Sequence, residues 1–206
     1  MKTRGTVAVT IGIVLMVAGT ALANINLEWR PLEETVIVGE LAEIGLYAVS
    51  DNPSINQPIA SMDVLPGWDQ QYLALQGVND NGPYDWLWST FPDDAGGDGM
   101  NNTWDDGNAK YTALAQPGEG NEAWATPEGL LVTTFQLLAL LETPVGVPTE
   151  LITIPEYGQY SRTVVRPPGG GDVTGTLSDA ALITIIPEPS SLVLLLAGGL
   201  VCLRRR

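Results

Sequence analysis

Ala42-Glu43-Ile44-Gly45-Leu46-Tyr47-Ala48 decides the fold class. Ala42, Ile44, Leu46 and Ala48 fall on one face and Glu43, Gly45 and Tyr47 on the other, the period-2 pattern of a half-buried strand. A helix would scatter the same apolar residues around its axis. The run is preceded by Val38-Gly39-Glu40, a turn signal, and by a β-branched run at 35–38. Similar short runs recur along the chain at 25–29, 59–65, 72–78, 109–115, 151–154, 163–166 and 173–186, separated by clusters of Pro, Gly, Asn and Asp. No segment carries a capped and sustained i, i+3, i+4 apolar pattern. Residues 130–141 are ambiguous: their length and leucines suit a buried helix, whereas Thr133, Thr134 and Phe135 after Gly129 suit a central strand. The whole reads as an all-β chain, a single β-sandwich.

Within that pattern a family resemblance emerges. Val38-Gly39-Glu40 followed by 42–48 is similar to the opening strand pair of cohesin-like domains. Ile59-Ala60-Ser61-Met62-Asp63, Trp68-Asp69, Tyr72-Leu73 and Leu75 resemble their next unit, and Gly129-Leu130-Leu131-Val132-Thr133-Thr134-Phe135 resembles a late strand. The resemblance spans about residues 35–185 and implies a nine-stranded sandwich of jelly-roll type, a fold shared with a group of carbohydrate-binding modules. It also implies a partner, because cohesins bind dockerin modules through a sheet face. It transfers no contact residue.

The two ends read as processing segments. Lys2 and Arg4 form a positive region, 7–18 an apolar region, and Ala21-Leu22-Ala23 a small-residue cleavage site, so residues 1–23 read as a secretory signal peptide cut after Ala23. That implies Sec-type export machinery. At the other end Pro187-Glu188-Pro189 is followed by an uncharged leucine-rich run, 192–203, and by Arg204-Arg205-Arg206. A helix over 190–203 would be roughly 21 Å long, short of the ~30 Å hydrocarbon core, and terminal arginines can snorkel to its surface. Residues 187–206 resemble the PEP-CTERM sorting signal of exported bacterial proteins. The resemblance implies recognition by a membrane-embedded peptidase, an exosortase, transient membrane anchoring, and placement at the cell surface or outside the cell. This copy has a short apolar run with Cys202 inside it.

Between the two ends lies one domain, 24–186, long enough to bury a core. It holds four cations, Arg30, Lys110, Arg162 and Arg166, against 23 carboxylates, a formal charge of −19. Such a body repels nucleic acid and anionic membrane surfaces. The chain has no histidine, and Cys202 is its sole cysteine. Ser-His-Asp and Cys-His catalysis and an ordinary zinc site are therefore excluded.

Residues 79–108 break the strand rhythm. Twelve of the 30 are Asp or Asn, with Trp86, Trp88 and Trp104 among them, and a segment this long between strands is usually functional or disordered. Asp94, Asp98, Met100 (through its carbonyl), Asn102 and Asp105 fall at ligand positions 1, 5, 7, 9 and 12 of a calcium loop, with Gly99 at 6. Gly96 stands where a ligand is usual, Asp105 replaces the usual Glu, and no helices flank the run. An Asx-rich surface loop accounts for the same residues. Exposed tryptophans would stack on sugar rings, and Trp86, Trp88 and Trp104 are the candidates, with Trp68 and Trp124 beyond the segment. Tryptophans that plug the sandwich ends account for the same pattern.

The combined expectation is an exported, non-catalytic surface or matrix protein with no cofactor other than calcium, whose sandwich binds a protein module or polysaccharide. A carbohydrate-binding module proper is the first alternative. A secreted glycoside hydrolase using a carboxylate pair is the second, and it needs a cleft with two carboxyls ~5–9.5 Å apart.

Overall fold

The computed structural model describes residues 24–91, 107–158, 161–177 and 179–188. The signal-peptide sites Ala21 and Ala23, the calcium-loop candidates Asp94, Asp98, Met100, Asn102 and Asp105, Trp104, Pro189 and Arg204 to Arg206 lie outside the described residues. So do the two terminal helices expected from the sequence.

The described chain forms strands β1 (Ile25–Pro31), β2 (Thr35–Ile37), β3 (Leu41–Ser50), β4 (Gln57–Ile59), β5 (Ser61–Val64), β6 (Pro66–Trp68), β7 (Leu73–Asn79) and β8 (Trp88–Thr90). They are followed by β9 (Tyr111–Leu114), β10 (Ala123–Ala125), β11 (Leu130–Ala139), β12 (Thr149–Thr153), β13 (Glu156–Tyr157), β14 (Ser161–Arg162), β15 (Val164–Arg166) and β16 (Ala181–Ile186). No helix occurs among the described residues.

One layer is an antiparallel sheet in the order β1-β3-β11-β7. Facing it are two four-stranded sheets, β2-β16-β12-β6 and β15-β5-β9-β8. These two are continuous through Leu65 between β5 and β6 and through a bridge between Gly67 and Asn108. Among the described residues the strand ladders are antiparallel except β2 with β16, and two isolated bridges, Ile25 with Thr174 and Val49 with Thr126, are also parallel. The deciding stretch is the centre of the first layer: Ala42, Ile44, Leu46 and Ala48 are all buried. Gly39 adopts φ +88° in the turn before it, a left-handed conformation that glycine reaches without a Cβ penalty. The ambiguous stretch is a strand, β11, with one bulge of its own, Val132, between Leu131 and Thr133 opposite β3; the irregularity at Gln136 and Leu137 is an extra residue, Gln76, on the partner strand β7. A bulge inserts a residue and bends the strand, so the apolar side chains of 130–139 escape strict alternation and mimic a helical pattern.

Aromatic rings tie the layers together. Phe135 of β11 is fully buried, with edge-to-face contacts to Trp29 of β1 (5.0 Å), Tyr111 of β9 (5.3 Å) and Phe91 (5.6 Å). The Trp29 indole Nε1–H donates to Thr153 Oγ1 of β12 at 2.8 Å, so its polar edge is satisfied across the core.

Some boundaries differ from the expected ones. The run at 59–65 is broken at Ala60 and Leu65: Ile59 ends β4, Ser61–Val64 is β5, and β6 begins just past the run at Pro66. At Ala60 the chain leaves its pairing with β10 for the sheet of β9, and at Pro66, which has no N–H to donate, it passes to β12. Only the second half of 173–186 is a strand. Val173 to Thr176 instead cover the outer edges of β1 and β15, through Ile25 N–H to Val173 O (2.7 Å) and Val173 N–H to Val165 O (3.0 Å). Inside the Asx-rich segment a short strand appears, β8, paired with β9.

Burial raises the pKa of the Tyr111 phenol well above its usual range; a hydrogen bond shared with the Ser89 hydroxyl (2.6 Å) opposes the shift, and the Asp80 charge adds to it. A raised folded value means that the neutral phenol is the stable form in the fold. Its contribution is complete below the unfolded value of ~10 and declines as pH rises beyond it. Tyr111→Phe should therefore cost about 1 kcal/mol near neutrality, and the gap in melting temperature between the two proteins should close between about pH 10 and 12. A gap that stays constant over that range would contradict the assignment.

Candidate functional site

The outward face of β15-β5-β9-β8 follows from strand alternation. Met62, Ala113 and Val165 point into the core and are fully buried. Their neighbours Trp88, Leu114, Ser61 and Arg166 therefore form an outward row, in direct register across the four strands. At ~4.8 Å per strand the row is roughly 15 Å long. Trp88 is 52% exposed and Leu114 40%. A second row on the same side joins Thr90, Thr112, Asp63 and Val164, of which Val164 is buried. Asp63 accepts from Thr112 Oγ1 at 2.8 Å and pairs with Arg166 Nη1 at 3.3 Å, so both its oxygens are engaged.

Two recesses along this face differ chemically. Alongside the row of Trp88 and Leu114 lies an apolar groove of about 460 Å³, lined by Leu87, Leu114, Ala60, Pro117 and Pro168 together with Glu119 and Glu122. Beyond Arg166 lies a polar depression of about 350 Å³, where Lys110, Arg162 and Arg166 meet Asp63 and Glu156. Three of the four cations of an acidic body thus converge here. Arg162 also pairs with Asp172 at 3.4 Å. The Asp172 carboxyl is held below its usual range, first by the Thr174 hydroxyl and then, to a lesser degree, by Arg162.

The outward face of β1-β3-β11-β7 is internally satisfied. Arg30 stacks 4.2 Å above the Tyr47 ring, pairs with Glu28 at 2.7 Å and donates to Glu128 O. Gln136 donates to Glu43 at 3.0 Å.

The tryptophans separate into two groups. Trp86, a candidate for a stacking face, takes the alternative role of a buried plug: it is 8% exposed, donates to Val132 O at 2.9 Å and packs edge-on against Tyr84. Trp68 is also buried. Trp88 and Trp124 are exposed, on β8 and β10, which belong to different sheets. Of the residues expected to form a sorting signal, Pro187 and Glu188 are described and follow directly on β16. Sequence reasoning did not single out Leu114, Ser61 or the cation cluster. Lys110, Arg162 and Arg166 lie far apart along the chain, and only strand pairing brings them together.

With this geometry, comparison with known proteins is informative. A cohesin module from a family 33 glycoside hydrolase of Clostridium perfringens superposes with a TM-score of 0.54 at 13% identity, covering 81% of this chain and 99% of that one. The fold is cohesin-like. A type II cohesin, A11, from Bacteroides cellulosolvens gives 0.53 at 11% identity, covering 78% of this chain and 99% of the other. A type I cohesin–dockerin complex from Clostridium thermocellum gives 0.51 at 14% identity with the same coverage, 78% and 99%. No family model and no curated protein matches the sequence. The expectation of an all-β, cohesin-like sandwich is met.

Proposed function

We propose that this chain is an exported, non-catalytic surface protein whose cohesin-like sandwich holds a dockerin-like protein module on the outward face of β15-β5-β9-β8. The observation that carries the reading is the in-register row Trp88-Leu114-Ser61-Arg166. It puts an exposed aromatic and an aliphatic anchor beside a gathering of cations in a body of formal charge −19. Aromatic and Arg anchors carry most of the energy of protein interfaces. Both structural relatives with cohesin names and a solved cohesin–dockerin complex support the choice of partner class. The partner's matching surface carries an apolar helix or loop flanked by carboxylates.

In this reading residues 1–23 direct Sec-type export and residues 187–206 are a PEP-CTERM segment, handled by an exosortase, that places the protein at the cell surface. Titration calorimetry with dockerin modules, in millimolar calcium, tests the partner class. Saturable one-to-one binding that falls as salt rises supports it. Heat from soluble polysaccharides and none from any module would move the assignment to carbohydrate.

A further inference from the structure

The end of the sandwich from which the sorting segment departs carries half-exposed aliphatic side chains. Backbone hydrogen bonds define that end. Gly39 N–H donates to Ala139 O (2.8 Å), Val38 N–H to Ile186 O (2.9 Å) and Thr143 N–H to Ile185 O (3.0 Å). They bring the β2–β3 turn, the chain after β11 and the end of β16 together. Leu41, Leu140, Leu141, Val145, Val147 and Ile186 sit here, six of the fourteen large hydrophobic residues exposed among those described. Val145 is fully exposed at the tip of a tight turn, closed by Val147 N–H to Pro144 O at 2.9 Å, with Gly146 at φ +77°. Single exposed aliphatics are ordinary, but a contiguous group marks an interaction surface.

The position of the chain end says what covers it. Ile185 is buried, β16 stops at Ile186, and the Pro-Glu-Pro motif begins at the next residue, with no spacer. The five residues 187–191 reach at most ~17 Å. If 192–203 enters a bilayer, the Val145 turn is held within that distance of the surface, at a high effective concentration. We propose that this end of the sandwich rests on the bilayer while the tail is anchored, with the Leu140–Leu141 and Val145–Val147 tips entering the interface. This rests on the reading of 187–206 as a membrane-entering segment. Glu40 and Glu142, both exposed, flank the tips. The surface therefore suits neutral lipid headgroups, and anionic lipid weakens the contact.

The full chain with Cys202→Ser, which removes the sole cysteine, accepts a polarity-sensitive dye at Val145→Cys or, as the opposite-end control, at Ser54→Cys. Each protein is mixed with phosphatidylcholine vesicles and floated. The expected result is flotation of both, a blue shift confined to the Val145 dye, and at least threefold stronger quenching of that dye by doxyl-labelled lipid. Adding phosphatidylglycerol should reduce the shift. With the dye moved to Glu142→Cys, the shift should persist and should be lost when Val145 and Val147 become Ser, which excludes insertion driven by the dye. Flotation with both dyes equally in water overturns the docking and leaves the anchor standing. A blue shift without doxyl quenching overturns it in favour of contact with a second copy. Failure to float removes the anchor reading and the docking with it.

Discussion

Phe135→Ala should lower the stability of the fold by about 3–5 kcal/mol, the largest effect of any single truncation considered for this molecule. Phe135 is the ring at which the two layers meet. It is fully buried and makes three edge-to-face contacts, to Trp29, Tyr111 and Phe91. Truncation removes the transfer energy of the ring and leaves a cavity whose walls belong to different sheets. Those walls are tied elsewhere: Trp29 to Thr153 by a 2.8 Å hydrogen bond, and Tyr111 to Ser89 at 2.6 Å. The site therefore collapses poorly, and poor collapse puts the cost at the upper end of the range. For a domain of this size the melting temperature should fall by roughly 10 °C. Urea unfolding would show a lower midpoint with an unchanged slope, since the surface exposed on unfolding is the same. Phe135→Leu, which refills part of the volume, should cost roughly half as much. A loss below about 1 kcal/mol for the alanine variant would mean that the layers are held together elsewhere.

The same residue shows what was legible in the sequence. Phe135 stands in a stretch that reads as a central strand with a buried helix as the alternative, because the bulge at Val132 interrupts the alternation that marks a strand. The neighbouring partner was unambiguous: β3 alternates cleanly, and an alternating strand needs strands beside it. Local pattern thus identified nearly every long strand. It failed where the chain changes partners, at Ala60 and Pro66, and at 173–176, which caps two strand edges instead of crossing a sheet. Both failures concern pairing, which is not a local property. Trp86 and Trp88 make the point for the site. Two residues apart in one polar segment, one donates to Val132 O in the core and the other stands on an outer face. Which tryptophan faces out depends on where β8 meets β9, and no composition argument reaches that. The cation cluster was invisible for the same reason.

Trp88→Ala should weaken binding of a dockerin-like module at least tenfold and leave the fold nearly untouched. Tenfold corresponds to ~1.4 kcal/mol, modest for an interface tryptophan, where losses of 2 kcal/mol or more are common. The ring is half exposed on β8, which hydrogen-bonds to a single neighbour, β9. Its removal leaves no sealed cavity, so the melting temperature should shift by only about 1–2 °C. Leu114→Ala, the cross-strand neighbour, should weaken binding less. Arg166→Glu should act differently: it sets a second carboxylate beside Asp63, now 3.3 Å from the Arg166 guanidinium. The reversal repels an acidic partner and slows association, an effect that shrinks as salt rises. Gln76→Ala, on the exposed edge strand β7 of the other layer, serves as the control and should leave affinity unchanged. The separation of the two effects is what identifies the surface. Loss of affinity with Trp88→Ala at constant stability, and a salt-dependent loss with Arg166→Glu, place the partner across the row from β8 to β15. Full affinity in both variants, with loss in Gln76→Ala, would place it on the β1-β3-β11-β7 sheet and would require the Arg30–Tyr47 stack to open on binding.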